Sequence, residues 1–103
     1  MHDIVRKNIE AIEETTFLYQ LHEQNIFDKS LFQEYIENVG LVNAENTEKE
    51  MIVSIIETND YIIRNALYHF LPDDAHVMKN FPSNFGDCLE QIRIENSRLL
   101  RML

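Results

Sequence analysis

The sequence predicts an all-α fold, a compact four-helix, bundle-like domain with room for one extra short helix. Three observations carry that reading. Two glycines and two prolines in 103 residues leave too little turn chemistry for a β-sandwich, which needs a turn signal about every eight to twelve residues. Apolar residues recur at helical spacing over long stretches. Ser30–Gln33 and Thr47–Glu50 both have the S/T-x-x-E/Q form of a capping box, in which two side chains satisfy the free amides of a first helical turn.

The first helix is predicted from about Ile4 to Gln24, with Val5, Ile9, Ile12, Thr16 and Tyr19 on one stripe. Phe17, Leu18 and Leu21 fall outside that stripe, so this helix is apolar on more than one side and packs between neighbours or shows a second face to a partner chain. The second begins at the Ser30 box, buries Leu31, Phe32, Tyr35, Ile36 and Val39, and stops at Gly40 in a left-handed conformation. The third follows the Thr47 box and is the clearest in the chain. Its stripe runs Ile52, Ile55, Ile56, Asn59, Ile62, Ile63, Ala66, Leu67 and Phe70, centres near Asn59 and Ala66, and counts Ile56 and Ile63 as core. Pro72 ends it. Asp73 to Lys79 suits a short helix, because a proline and two acids stand at its start. The last helix starts after Pro82 with Ser83 or Asn84 as cap and buries Leu89, Ile92, Leu99, Leu100 and Leu103.

The length fits one domain over residues 1–103. No window is apolar enough for a membrane span, and the charged start MHDIVRKNIEAIEE is unlike a secretory leader, so a cytoplasmic protein is expected. The single cysteine, Cys88, has no intrachain disulfide partner and reads as a small buried apolar group.

Nine basic against eighteen acidic residues give a net charge of −9, which opposes unassisted binding to nucleic acid and favours a protein partner with a basic surface. The charge is lopsided. Between Glu10 and Ile63 twelve acids face only Lys29 and Lys49, whereas from Cys88 onward three arginines face two glutamates. Glu34, Glu37, Glu45, Glu48, Glu57 and Asp60 are the candidate docking charges, joined by the aromatic Tyr61 and Tyr68. The same acids also suit a solvated face that keeps the protein in solution.

A second constellation is Arg64-Asn65-Ala66-Leu67-Tyr68-His69. This R-x4-H motif, with a polar residue after the arginine and in a small helical chain, resembles the HEPN superfamily. The resemblance implies a metal-independent ribonuclease, a toxin or a non-catalytic relative, commonly dimeric, with the motif at a shared cleft. Under it Arg64 stabilises phosphate charge, His69 acts as general acid or base, and Asn65 orients the site. Taken alone, Arg64 also suits an ion pair with Asp60, and His69 a place at a helix end. The two lie about 140° apart on an ideal helix and do not stack on one face.

His69, Asp73 and His76 are the only residues that suggest metal ligands, and they straddle Pro72, so neither metal nor cofactor is expected. Two function classes remain. One is a non-enzymatic acidic module that binds and restrains a protein, as immunity proteins, antitoxins and phage-encoded inhibitors do. The other is the HEPN-like ribonuclease, and a homodimer is compatible with both.

Overall fold

The computed structural model describes residues 2–70 and 77–103, and among these the chain forms five helices and no sheet: α1 (Asp3–Glu10), α2 (Phe17–Glu23), α3 (Lys29–Val39), α4 (Lys49–Tyr68) and α5 (Phe85–Leu100). The all-α class is as expected, with five helices rather than four. The additional one comes from a break in the first predicted helix. Ala11 takes a left-handed φ of 53°, and Thr16 starts a new helix by accepting the Tyr19 amide on Oγ1 at 3.2 Å while donating to the Glu13 carbonyl at 2.8 Å. The break turns Phe17, Leu18 and Leu21 into the core, leaves Ile12 75% exposed, and so resolves the two-sided apolar pattern.

α3 begins earlier than its predicted box. Asp28, not Ser30, is the cap, accepting the Leu31 amide at 3.0 Å with an ionised oxygen that also suits the helix dipole. Its far end contains no left-handed glycine, for Gly40 is right-handed at φ −61°. Arg98 of α5 does that work, donating to the carbonyls of Val42 at 2.6 Å and Val39 at 2.9 Å, with its Nε held by Glu95 at 2.9 Å. The Thr47 box is also unformed: its hydroxyl donates to Asn46 Oδ1 at 2.6 Å, and α4 starts after Glu48 with no side-chain cap.

α4 is flanked by α5 on one side and by α1 and α2 on the other, and α3 packs on α1, α2 and α5. Its fully buried positions are Ile52, Ile55, Asn59, Ile62 and Ala66. Ile56 and Ile63, read from sequence as core, are only partly buried, and Leu67 and Phe70 are exposed. α5 buries Cys88, Ile92 and Leu99, but Leu89, Leu100 and Leu103 are exposed rather than buried. An aromatic cluster joins α2 to the start of α5, with Phe17 against Phe27 and Phe32, and Phe27 against Phe81 and Phe85.

The short helix expected from Asp73 to Lys79 falls partly outside the described residues. Its described end, 77–79, is not helical. Lys79 bridges Ile26 in parallel, its N–H donating to Asn25 O and its carbonyl accepting from Phe27 N, both at 2.9 Å.

One polar chain crosses the core. Tyr35 of α3 donates to Asn59 Oδ1 at 2.5 Å, and Asn59 Nδ2 donates to Asn96 Oδ1 of α5 at 2.7 Å. Replacing Asn59 with Ala strands the buried Tyr35 hydroxyl, and we expect a loss of about 1–3 kcal/mol in urea unfolding. Burial pushes the Tyr35 phenol far above its ordinary value. In the unfolded chain this phenol ionises near pH 10, so the contribution of Tyr35 to stability is constant below about pH 10 and is lost above it; Tyr35→Phe lowers stability at neutral pH but flattens that alkaline decline. Burial likewise raises the Cys88 thiol. Iodoacetamide at mildly alkaline pH should leave Cys88 unmodified in the folded protein and alkylate it in urea.

Candidate functional site

A cleft of about 480 Å³ opens where α1 and α2 meet α4. It lies beside the α1–α2 break, where the chain leaves α1 at left-handed Ala11 and re-enters helix at Phe17. Ile9, Ala11 and Leu18 give it an apolar lining, Ser54, Glu57, Thr58 and Tyr61 come from α4, and His22 closes it from α2. Buried Asn8 ties the two short helices together, donating to Ile4 O at 2.8 Å and accepting the Leu18 amide at 3.0 Å. Across the cleft His22 Nδ1 and Tyr61 Oη are hydrogen-bonded, and Glu23 lies 3.6 Å from His22 Nε2. The Tyr61 phenol is raised, first by burial and then by the Glu23 charge, against a lowering hydrogen bond from Asn65. Apolar lining, a free carboxylate and a phenol together suit a long amphipathic side chain, whose stem lies on Ile9 and Leu18 while its cationic head meets Glu57.

Of the docking residues read from sequence, the fold brings Glu57 and Tyr61 to this cleft. It does not gather the rest. Glu34 lines a hollow between α1 and α3, Glu37 faces a groove between α3 and α5, Glu45 and Glu48 stand on the α3–α4 connection, and Tyr68 is exposed on the last turn of α4. Asp60 is occupied by Arg64 at 3.0 Å. Among the described residues Glu34, Glu45, Glu48 and Glu57 are exposed and form no ion pair.

The R-x4-H residues are engaged separately. Arg64 is exposed and paired with Asp60, one turn back, as the simple helical reading anticipates. Asn65 stands one turn beyond Tyr61 and opposes the burial-driven rise of its phenol. His69 stacks flat on Phe81, with ring centres 4.0 Å apart and planes at 10°, and its Nδ1 accepts the Met78 amide at 3.0 Å. That bond puts the proton of the neutral ring on Nε2 and ties the end of α4 to the returning chain.

Compared with family models, curated proteins and solved structures, the chain matches none. Its chemistry therefore rests on its own residues. No described helix is long and apolar enough to cross a membrane. Asp73 and His76 of the suggested metal set lie outside the described residues, and the described residues contain no cluster of three metal-type ligands.

Sequence reasoning missed His22, Ile9 and Asn8. His22 is 39 residues from Tyr61, and no local pattern announces a contact at that separation. For His69 the geometry makes a clear statement about stability. His69→Ala leaves the buried Met78 amide unpaired and removes a ring from Phe81, so we expect about 2–4 kcal/mol lost in thermal or urea unfolding. A side chain serving only chemistry would leave the unfolding midpoint in place.

Proposed function

We propose that this protein is an acidic, non-enzymatic binding module of the cytoplasm that docks on a basic partner protein and restrains it, in the manner of immunity proteins, antitoxins and phage-encoded inhibitors. The observation that carries the reading is the α1/α2/α4 cleft, where an apolar lining meets the unpaired carboxylate of Glu57 and the Tyr61–His22 pair. A lysine or arginine of the partner fills such a cleft with both halves of its side chain. The remaining unpaired acids contribute a long-range field that speeds encounter with any basic surface and discourages acidic ones. Arg64 and His69 weigh on the same side, since each is committed to a structural partner rather than to a common phosphate.

The test is affinity capture from native lysate, followed by kinetics with the recovered partner. Glu57→Lys and Tyr61→Ala should each weaken the complex, Glu57→Lys chiefly by slowing association about tenfold, and added salt should slow the wild type in the same sense. Binding indifferent to salt and to both substitutions would sink the reading. So would metal-free RNA cleavage by the purified protein that disappears in Arg64→Ala and His69→Ala.

A further inference from the structure

The hydroxyls that line the α1/α2/α4 cleft have their protons engaged. Thr58 Oγ1 donates to the Ser54 carbonyl, one turn back, at 2.8 Å, which leaves its lone pairs for a ligand. Tyr61 Oη is hydrogen-bonded to His22 Nδ1, and the Glu23 carboxylate, 3.6 Å from Nε2, draws the proton of the neutral ring to that nitrogen. Nδ1 is then bare, and the phenol spends its proton on it. Asn8 has both ends of its amide on the backbone, at Ile4 O and at the Leu18 amide. Among the described residues Glu57 forms no ion pair, and its carboxylate only accepts. Ser54 adds a hydroxyl that turns either way.

The cleft therefore offers acceptors. Glu57 and Thr58 are neighbours, about 100° apart around α4, and Tyr61 follows one turn beyond Glu57, so the three oxygens approach a ligand from different directions rather than in one plane. The wall that faces them is apolar, with Ile9, Ala11 and Leu18. We infer that the cleft is a primary-ammonium site, which takes a donor-only cation on a short alkyl stem, with Glu57, Thr58 and Tyr61 as acceptors and His22 as the positioning residue that holds the Tyr61 proton. An ammonium carries three pyramidal N–H donors and no acceptor, which matches three lone-pair oxygens; a guanidinium is planar and is held best by one carboxylate face. The site thus selects lysine over arginine. It rests on the binding reading above only for the source of the ammonium, a lysine of the partner, and a free alkylamine carries the same chemistry.

His22 makes the site answer to pH. Around its ring stand Glu23 on α2 and Tyr61 and Glu57 on α4, while Arg64, whose charge reaches Tyr61, is held by Asp60 at 3.0 Å. α1 and the turn after it line the cleft with Asn8, Ile9 and Ala11, none of them titratable. Imidazoles take up a proton between about pH 8 and 6, a range in which carboxylates and phenols do not titrate. Protonation of His22 places a positive charge at the cleft and turns Nδ1 from acceptor into donor, so the Tyr61 oxygen gives a lone pair to the ring instead of to the ligand. Ammonium binding therefore weakens as the pH falls through that range.

Amide NMR titration with n-butylammonium chloride, the lysine side chain as a free molecule, tests the site without the partner. We expect saturable shifts centred on residues 54–61 and His22, with dissociation at roughly millimolar amine, as suits so small a ligand. Glu57→Gln, at an exposed position, should weaken binding about tenfold with the unfolding midpoint unchanged, and propylguanidinium should bind several-fold more weakly than the amine. Binding by the wild type should fall about threefold or more from pH 8 to pH 6, and His22→Gln should remove that pH dependence, which a merely structural histidine would not govern. Saturation by micromolar free amine makes a small molecule the natural ligand, whereas millimolar binding that a lysine-bearing partner surpasses makes it a side chain. The inference is overturned by an absence of saturable shifts, by a Glu57→Gln protein that binds the amine as well as wild type, or by tighter binding of propylguanidinium. The two readings fail separately: amine binding with no basic protein captured removes the partner and keeps the site, and a salt-sensitive complex with a basic protein, formed by a chain that ignores the amine, does the reverse.

Discussion

The arrangement depends on one amide buried in an apolar stripe. Asn59 is fully buried, and its oxygen and nitrogen are both used, the first by Tyr35 of α3 and the second by Asn96 of α5. Hydrophobic contacts tolerate sliding because any apolar neighbour is nearly as good as the next. A buried hydrogen-bonded chain does not, since moving α4 by a turn would strand Tyr35 and Asn59 where water cannot replace the lost partners. The node thereby sets the register of three helices, and with it which residues of α4 border the cleft.

Helix ends show the same reliance on long-range polar contacts. α2 is entered through Thr16 with help from Asn8 of α1, the end of α4 is tied down by His69 on Met78, and α3 is finished by Arg98. In a chain with two glycines, left-handed glycine caps are scarce, and side chains from elsewhere take their place. The left-handed positions that do occur among the described residues fall on His2, Ala11, Asn25 and Asn80. Asn25 also donates its side-chain nitrogen to Val77 O at 2.9 Å and so holds the returning chain.

What was legible in the sequence follows from range. The apolar period over Ile52–Ala66 is a local property and predicted α4 and its buried centre, Asn59 included. The same period overreached at Ile56, Ile63 and Leu67, because a wide stripe does not say how many neighbours will cover it. Periodicity alone joined α1 to α2, since Ala11 gives no hint of a positive φ and Thr16 reads equally well as a helical residue. Ser30 and Thr47 matched a capping pattern that Asp28 and Asn46 pre-empted through stronger or nearer hydrogen bonds. For the cleft, Glu57 and Tyr61 were visible as a charge and an aromatic on α4. Their opposite wall was not, because it depends on how a broken helix folds back, as His22 and Ile9 show.

Arg98 has a consequence for how the chain matures on the ribosome. The carbonyls it satisfies belong to Val39 and Val42, 59 and 56 residues earlier in the sequence. Asn96, the final member of the core polar chain, emerges almost as late. α3 can form its hydrogen bonds as it leaves the exit tunnel, but its last turn stays open to water until the sequence through Arg98 has been made and α5 has docked. Folding of this protein is therefore completed after translation of α5, and a truncated product that ends before Asn96 has neither the closing residue of α3 nor the anchor that sets α4.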